Sequence, residues 1–178
     1  DISCIGKCSL TVALPIISAS GAECSILPTS VLSTHTGGFE GYTFKDLTDE
    51  IVPITNHWKS LGIKVDAIYT GYLGSFEQID LMKQIFTDFR TENNLIGVDP
   101  VMGDNGVLYS LFDAEFAKGM ASLCGKADLI MPNLTEASYM TGLPYKEKDY
   151  DETYILNVLE ALHDLGAEKV VLTGVSFD

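Results

Sequence analysis

Short apolar runs alternate with amphipathic stretches along the chain, and most changes of period fall at a glycine, a proline or a capping residue. Ile79, Met82, Phe86 and Phe89 recur at the spacing of one helical face, and Ser75-Phe76-Glu77-Gln78 ahead of them has capping-box spacing, with the serine able to cap and Gln78 to reach back. The pattern predicts a helix over about 76–91. Ile155, Leu159, Leu162 and Leu165 predict another from Asp151 to Gly166. Further helices are expected over about 8–20, closed by Gly21; over 48–61, with Asp49 and Glu50 in its first turn and Gly62 after it; from Asp113 to about Leu123; and from Asn133 to near Gly142. Strands are expected at 23–28, 66–70, 95–98, 128–131 and 169–173. Residues 1–7 read as a loop whose feeding strand is absent, and 33–42 as a glycine-rich, hydroxyl-rich loop or flap.

Strand and helix alternating with short connections imply right-handed crossovers and an α/β fold: a mostly parallel central sheet with helices on both faces. In such sheets ligands bind outside the carboxyl ends of the strands. The segments following those ends, 34–36, 70–72, 99–104, 131–136 and 173–174, are polar and glycine-containing, so they can converge on one edge. The central one is Leu95-Ile96-Gly97-Val98-Asp99-Pro100-Val101-Met102-Gly103-Asp104. Its apolar run suits a strand covered on both faces, and Pro100 cannot donate to a ladder, so Asp99 stands at the strand's carboxyl end. Asp99 and Asp104, beside glycines that admit a ligand close to the backbone, suggest a metal and phosphate site; the plain alternative is a strand followed by an Asp-Pro turn. Asn133 and Glu136, spaced i, i+3, share one face of a helix's first turn. Alone they read as a cap and a dipole-favoured acid; beside Asp99 they read as oxygen donors of the kind Mg²⁺ requires. His35, flanked by Thr34 and Thr36, can present an imidazole and a hydroxyl to a polar ligand, and the Tyr72 ring can stack on an aromatic one.

Composition narrows the choice. Eleven basic residues against 25 acidic give a formal charge of −14, which argues against nucleic acid and makes an anionic membrane a poor partner. A phosphate-bearing ligand would need backbone amides, a helix N-terminus or a bridging cation. With 178 residues, 46% of them hydrophobic, one sizeable core and a single domain are expected. Cys4, Cys8, Cys24 and Cys124 show no C-x-x-C spacing and signal neither zinc nor a disulfide framework, so reduced thiols in a soluble, cytoplasmic protein are expected. The motifs G-x-x-x-x-G-K-[ST], G-x-G-x-x-G and G-x-S-x-G do not occur.

Ser33-Thr34-His35-Thr36-Gly37, Thr70-Gly71-Tyr72, Val98 to Asp104, Pro132-Asn133-Leu134-Thr135-Glu136-Ala137 and Val170-Val171-Leu172-Thr173 together resemble the pyridoxal (pyridoxine) kinases of the ribokinase-like superfamily. The resemblance implies a three-layer α/β sandwich, usually dimeric, that transfers the ATP γ-phosphate to the 5′-hydroxymethyl group of pyridoxal, pyridoxine or pyridoxamine with Mg²⁺ and often a monovalent cation, K⁺ or Na⁺. It implies that Asp99, Glu136 and Thr173 face ATP, with Asp99, Asn133 and Glu136 about the metal. Ser3, Leu32, His35, Thr36 and Tyr72 would face the B6 vitamer. Met131 stands where some relatives carry a threonine. The family's G-x-G-D motif, which supplies the catalytic base, would lie beyond Asp178, and the family's first strand before Asp1, so the segment alone is expected to be inactive. The alternatives are a hydroxymethylpyrimidine kinase on the same scaffold and a non-catalytic B6- or nucleotide-binding module.

Overall fold

The computed structural model describes residues 1–36 and 38–177 and divides the chain into two units, Asp1–Ile63 and Lys64–Asp178. In the first unit β1 (Ile2–Ser3) leads into α1 (Leu10–Ala19), followed by β2 (Ser30–Leu32), β3 (Phe44–Asp46) and α2 (Thr48–Ser60). β2 is the middle strand, parallel to β1 and antiparallel to β3. Here the sequence pattern misplaces the strands. Residues 1–7 contain β1, and the strand expected at 23–28 lies beyond Pro28, which has no N–H for a ladder; pairing begins with Ile2↔Val31 and Ser3↔Leu32. β3 was not expected, because three residues carry too little alternation to register. The helices follow their signals: Gly21 and Gly62 take φ of +89° and +67° after α1 and α2, the left-handed conformation that glycine adopts without steric cost. Asp49 and Glu50 occupy the first turn of α2.

The second unit runs β4 (Ala67–Thr70), α3 (Phe76–Phe89), β5 (Leu95–Val98), β6 (Gly103–Asp104), β7 (Val107–Leu108), α4 (Ala114–Cys124), β8 (Leu129–Ile130), α5 (Leu134–Thr141), α6 (Glu152–His163) and β9 (Lys169–Val170). Four strands form a wholly parallel sheet in the order β4-β5-β8-β9, each joined to the next through at least one helix. The hairpin β6–β7 was not foreseen, although its turn is Asn105-Gly106, with φ of 50° and 78°, a pair that a two-residue type I′ hairpin favours.

The α3 face is the one the periodicity selects: Ile79, Met82, Phe86 and Phe89 are buried, with Ile85 beside them. Each such side chain is worth about 1.5–3 kcal/mol. Ser75 caps α3 by accepting from the Gln78 N–H, while Gln78 Oε1 accepts from Gly74 N at 2.8 Å, one residue earlier than a capping box requires. Ile96, Val98 and Ile130 are fully buried, which explains why β5 reads as an uninterrupted apolar run. At the amino end of the sheet Asp128 Oδ2 accepts from the Ile96 N–H at 2.7 Å and from Arg90 at 2.6 Å, fixing the β5–β8 register.

Candidate functional site

β5 stops where Pro100 removes a donor, and the Asp99 N–H still bonds Thr70 O at 2.9 Å, keeping the acid in register with the end of β4. Its Oδ2 accepts a hydrogen bond from the Tyr69 hydroxyl at 3.1 Å. Register explains the meeting. Tyr69 pairs with Gly97, and positions 97 and 99 lie on one face of the strand. With glycine at 97 the tyrosine ring lies over that position, where a Cβ would sit 3.9 Å from Tyr69 Cδ2. Burial pushes the Asp99 carboxyl above its ordinary range and the Tyr69 hydrogen bond opposes this. Burial, then the Asp99 charge, pushes the Tyr69 hydroxyl up to about 12, so it stays a donor.

α5 opens with a complete capping box: Asn133 Oδ1 accepts from Glu136 N at 3.0 Å and Glu136 Oε2 accepts from Asn133 N at 2.8 Å. The same two side chains grip the loop after Asp99. Glu136 Oε1 accepts from Met102 N at 3.2 Å, and Asn133 Nδ2 donates to Gly103 O at 2.9 Å. Thr135 Oγ1 adds a bond from Gly106 N at 2.8 Å, so the first turn of α5 is laced to the hairpin. Glu136 is 3% exposed. Burial pushes its carboxyl up to about 7, against the pull of the Asn133 and Met102 N–H groups and with a contribution from the Asp99 charge. Thr173 N–H donates to Pro132 O at 2.8 Å and Thr173 bridges to Asn133, so the end of β9 also meets this turn. The structure thus brings Asp99, Asn133, Glu136 and Thr173 together about the carboxyl ends of β5, β8 and β9.

Asp104 lies on the β6 side of the hairpin turn. It is exposed in the hairpin, and its Oδ1 accepts from the next residue's N–H at 2.9 Å. Tyr109 lies near enough to Asp104, Glu136 and Asp99 for their charges to add to burial in raising its hydroxyl pKa. Among the described residues no group of three His, Cys, Asp or Glu is arranged to hold a metal. The donors present are nonetheless all oxygens. Both carboxylate oxygens of Glu136 and the Asn133 amide oxygen already accept backbone N–H groups, whereas Asp99 Oδ1 accepts no hydrogen bond among the described residues. Asp99 therefore fits a hard cation that keeps most of its water, and the other two fit as supports.

In the first unit, Ser3 and Leu32 are neighbours in the β1–β2 ladder and both are buried. Ser3 Oγ donates to Asp1 Oδ2 at 3.0 Å. The His35 N–H bonds Ile5 O at 3.1 Å, its ring meets the Phe39 ring edge-on at 5.1 Å, and a Cβ on Gly6, whose φ is +135°, would overlap His35 Cδ2. Ser3, Leu32 and His35 thus belong to one corner. Thr36 next to them is exposed, and Gly37 of the T-H-T-G motif lies outside the described residues. In the second unit, half-buried Tyr72 leans on Phe112, with ring centroids 5.6 Å apart.

A family model described as phosphomethylpyrimidine kinase matches residues 14–178. The chain belongs to the phosphomethylpyrimidine kinase family. A solved structure from Bacteroides thetaiotaomicron, a putative phosphomethylpyrimidine kinase in a crystal form with pyridoxal, is 47% identical with a TM-score of 0.93, covering 99% of this chain and 61% of that one. The pyridoxal kinase of Lactobacillus plantarum is 34% identical with a TM-score of 0.89, over 99% of this chain and 62% of that one. Among curated proteins, the pyridoxal kinase of Dictyostelium discoideum is 37% identical over 114 residues, 62% of this chain and 36% of the relative. The chain thus spans between 36% and 62% of these relatives' lengths. These likenesses agree with the α/β fold and with the family resemblance read from the motifs.

For a member of the phosphomethylpyrimidine kinase family, three contributors to the acid centre escaped the sequence reading. The Met102 N–H and Gly103 carbonyl act through backbone, which no side-chain motif marks. Tyr69 could have been found from pairing: once β4 and β5 are parallel with 69 opposite 97, strand alternation puts 99 on the same face.

Proposed function

We propose that the whole protein is an ATP-dependent kinase that phosphorylates the 5′-hydroxymethyl group of a vitamin B6 vitamer: pyridoxal, pyridoxine or pyridoxamine. The observation that carries this is Asp99, held at the carboxyl end of β5 by Thr70 and Tyr69 while Asn133 and Glu136 grip the loop behind it. In phosphoryl transfer the protein's task is positioning and charge stabilisation, and a fixed acid beside a helix N-terminus suits a metal–nucleotide complex. Asp99 would hold Mg²⁺ largely through water, with Glu136 and Asn133 orienting the loop and Thr173 beside the nucleotide. When bound, Mg²⁺ would neutralise phosphate charge, which a chain of net charge −14 cannot readily do with its own cations. A monovalent cation, K⁺ or Na⁺, is a further expected requirement.

The vitamer side is assigned to Ser3, Leu32, His35 and Thr36 of the first unit, and Tyr72 is assigned to cover the pyridine ring. The relative at 47% identity, in its crystal form with pyridoxal, supports a B6 substrate. No general base is assigned among these 178 residues, which are read as part of one ribokinase-like kinase domain. A cytoplasmic homodimer is the expected working form. The second reading is a hydroxymethylpyrimidine kinase, favoured by the description of the matching family. An ATP-coupled assay of the full-length protein decides between them: at least tenfold higher kcat/KM for a B6 vitamer than for hydroxymethylpyrimidine is expected, and the reverse order overturns the proposal.

A further inference from the structure

Asp99 has two carboxylate oxygens and only one is engaged among the described residues. The engaged one, Oδ2, receives the Tyr69 hydroxyl at 3.1 Å, and that ring lies over Gly97, the residue paired with Tyr69 in the β4–β5 ladder. A side chain at position 97 would share the space the ring crosses: an added Cβ would touch Tyr69 Cδ2 at 3.9 Å and Met131 Cε at 3.7 Å. The Asp99 backbone is pinned separately, through its N–H to Thr70 O at 2.9 Å. Backbone and one carboxylate oxygen are thus both tied to β4, which leaves rotation about the Asp99 side chain as the freedom Tyr69 removes. Holding Oδ2 turns Oδ1 into the oxygen presented to a ligand.

We infer that Tyr69 is a positioning residue of the acid centre: its hydroxyl selects the Asp99 rotamer that offers Oδ1 to the hydrated metal of a metal–nucleotide complex. The inference rests on the nucleotide reading of Asp99 given above. Neither the sequence motifs nor the family resemblance marks position 69, since its role comes from strand register. Tyr69 is 49% exposed, so replacing it with phenylalanine removes the hydroxyl and leaves the ring with little packing to disturb.

The test is calorimetric titration of the full-length protein with ADP, once with Mg²⁺ and once with excess chelator. Tyr69→Phe is expected to weaken binding of the magnesium complex about three- to tenfold, the scale of one net hydrogen bond. Metal-free ADP binding and the thermal midpoint should stay within twofold and about 2 °C of wild type. A merely structural tyrosine would move the metal-free titration or the midpoint as well. Magnesium-complex binding within twofold of wild type, or equal weakening with and without metal, overturns the positioning role. Wild-type protein that binds no magnesium–ADP overturns instead the phosphotransfer reading beneath it, a result that the substitution plays no part in.

Discussion

A carboxylate at the end of a buried strand meets opposing demands, because burial favours the neutral acid while cation binding needs the charged one. At Asp99 burial has the upper hand, and one tyrosine hydroxyl leans the other way. A hydrated cation would complete the reversal, so Asp99→Asn should remove more than a hydrogen-bond acceptor. We expect this substitution in the full-length protein to lower kcat/KM for magnesium–ATP by about 100-fold or more, with the Kd for pyridoxal changed less than threefold; steady-state kinetics and equilibrium titration check the two halves. An unchanged rate removes Asp99 from the site. Asp99 was legible in the sequence because a proline marks where its strand must stop. Tyr69 was not, since its meeting with Asp99 depends on inter-strand register, which a single chain does not display. Asp104 lies in a hairpin that its nearness to Asp99 along the chain does not announce, and it is exposed there.

At the scale of elements, α5 shows one set of atoms serving two purposes. The Asn133–Glu136 box caps a helix in the ordinary way, yet the remaining oxygen and amide of the pair hold the Asp99 loop. Helix-cap chemistry and site chemistry were posed as alternatives from sequence, and the structure realises the cap while tying it to the acid loop. Burial that raises Glu136 to about 7 has a signed consequence. The folded state binds this proton more tightly than the unfolded state, whose pKa is near 4.3, so the contribution is fully present below that value and is lost as pH rises through 7. Metal-free protein should therefore become less stable from pH 5 to 8 by roughly 2 kcal/mol through this group, and Glu136→Gln should flatten that part of the profile in denaturant melts. A parallel slope in the variant excludes Glu136 as the source. Helices such as α3 and α6 were placed well because three or more turns accumulate periodic signal. Two-residue strands such as β1 accumulate almost none, which is why the first sheet was misread while the helices beside it were found.

Across the whole molecule the cysteines provide a physical check on burial. Cys4 is exposed, whereas Cys124 has no accessible surface, and burial together with the charges of Glu136 and Asp99 pushes its thiol up to about 12. Thiolate is the reactive species, so at pH 8 a maleimide should modify Cys4 within minutes and leave Cys124 untouched until the second unit unfolds. Peptide mass spectrometry resolves the two, and early labelling of Cys124 contradicts its burial at the end of α4. The acidic balance and the alternation of elements set the general character of the chain, and the motif pair around Asp99 and Asn133 brought the family within reach. The order β4-β5-β8-β9 depended on long-range pairing that composition and periodicity leave open, whereas the β6–β7 hairpin is a local pairing across the Asn105-Gly106 turn.

The bond from the Met102 N–H to Glu136 Oε1 joins positions 34 residues apart, and Met102 is completely buried. Hydrogen exchange at that single amide is consequently a clock for the acid loop. An amide held by a side chain from another element can open only when that element releases it or the loop itself peels away. Its exchange rate would measure how often the chain lets go of Asp99's surroundings without unfolding the sheet beneath.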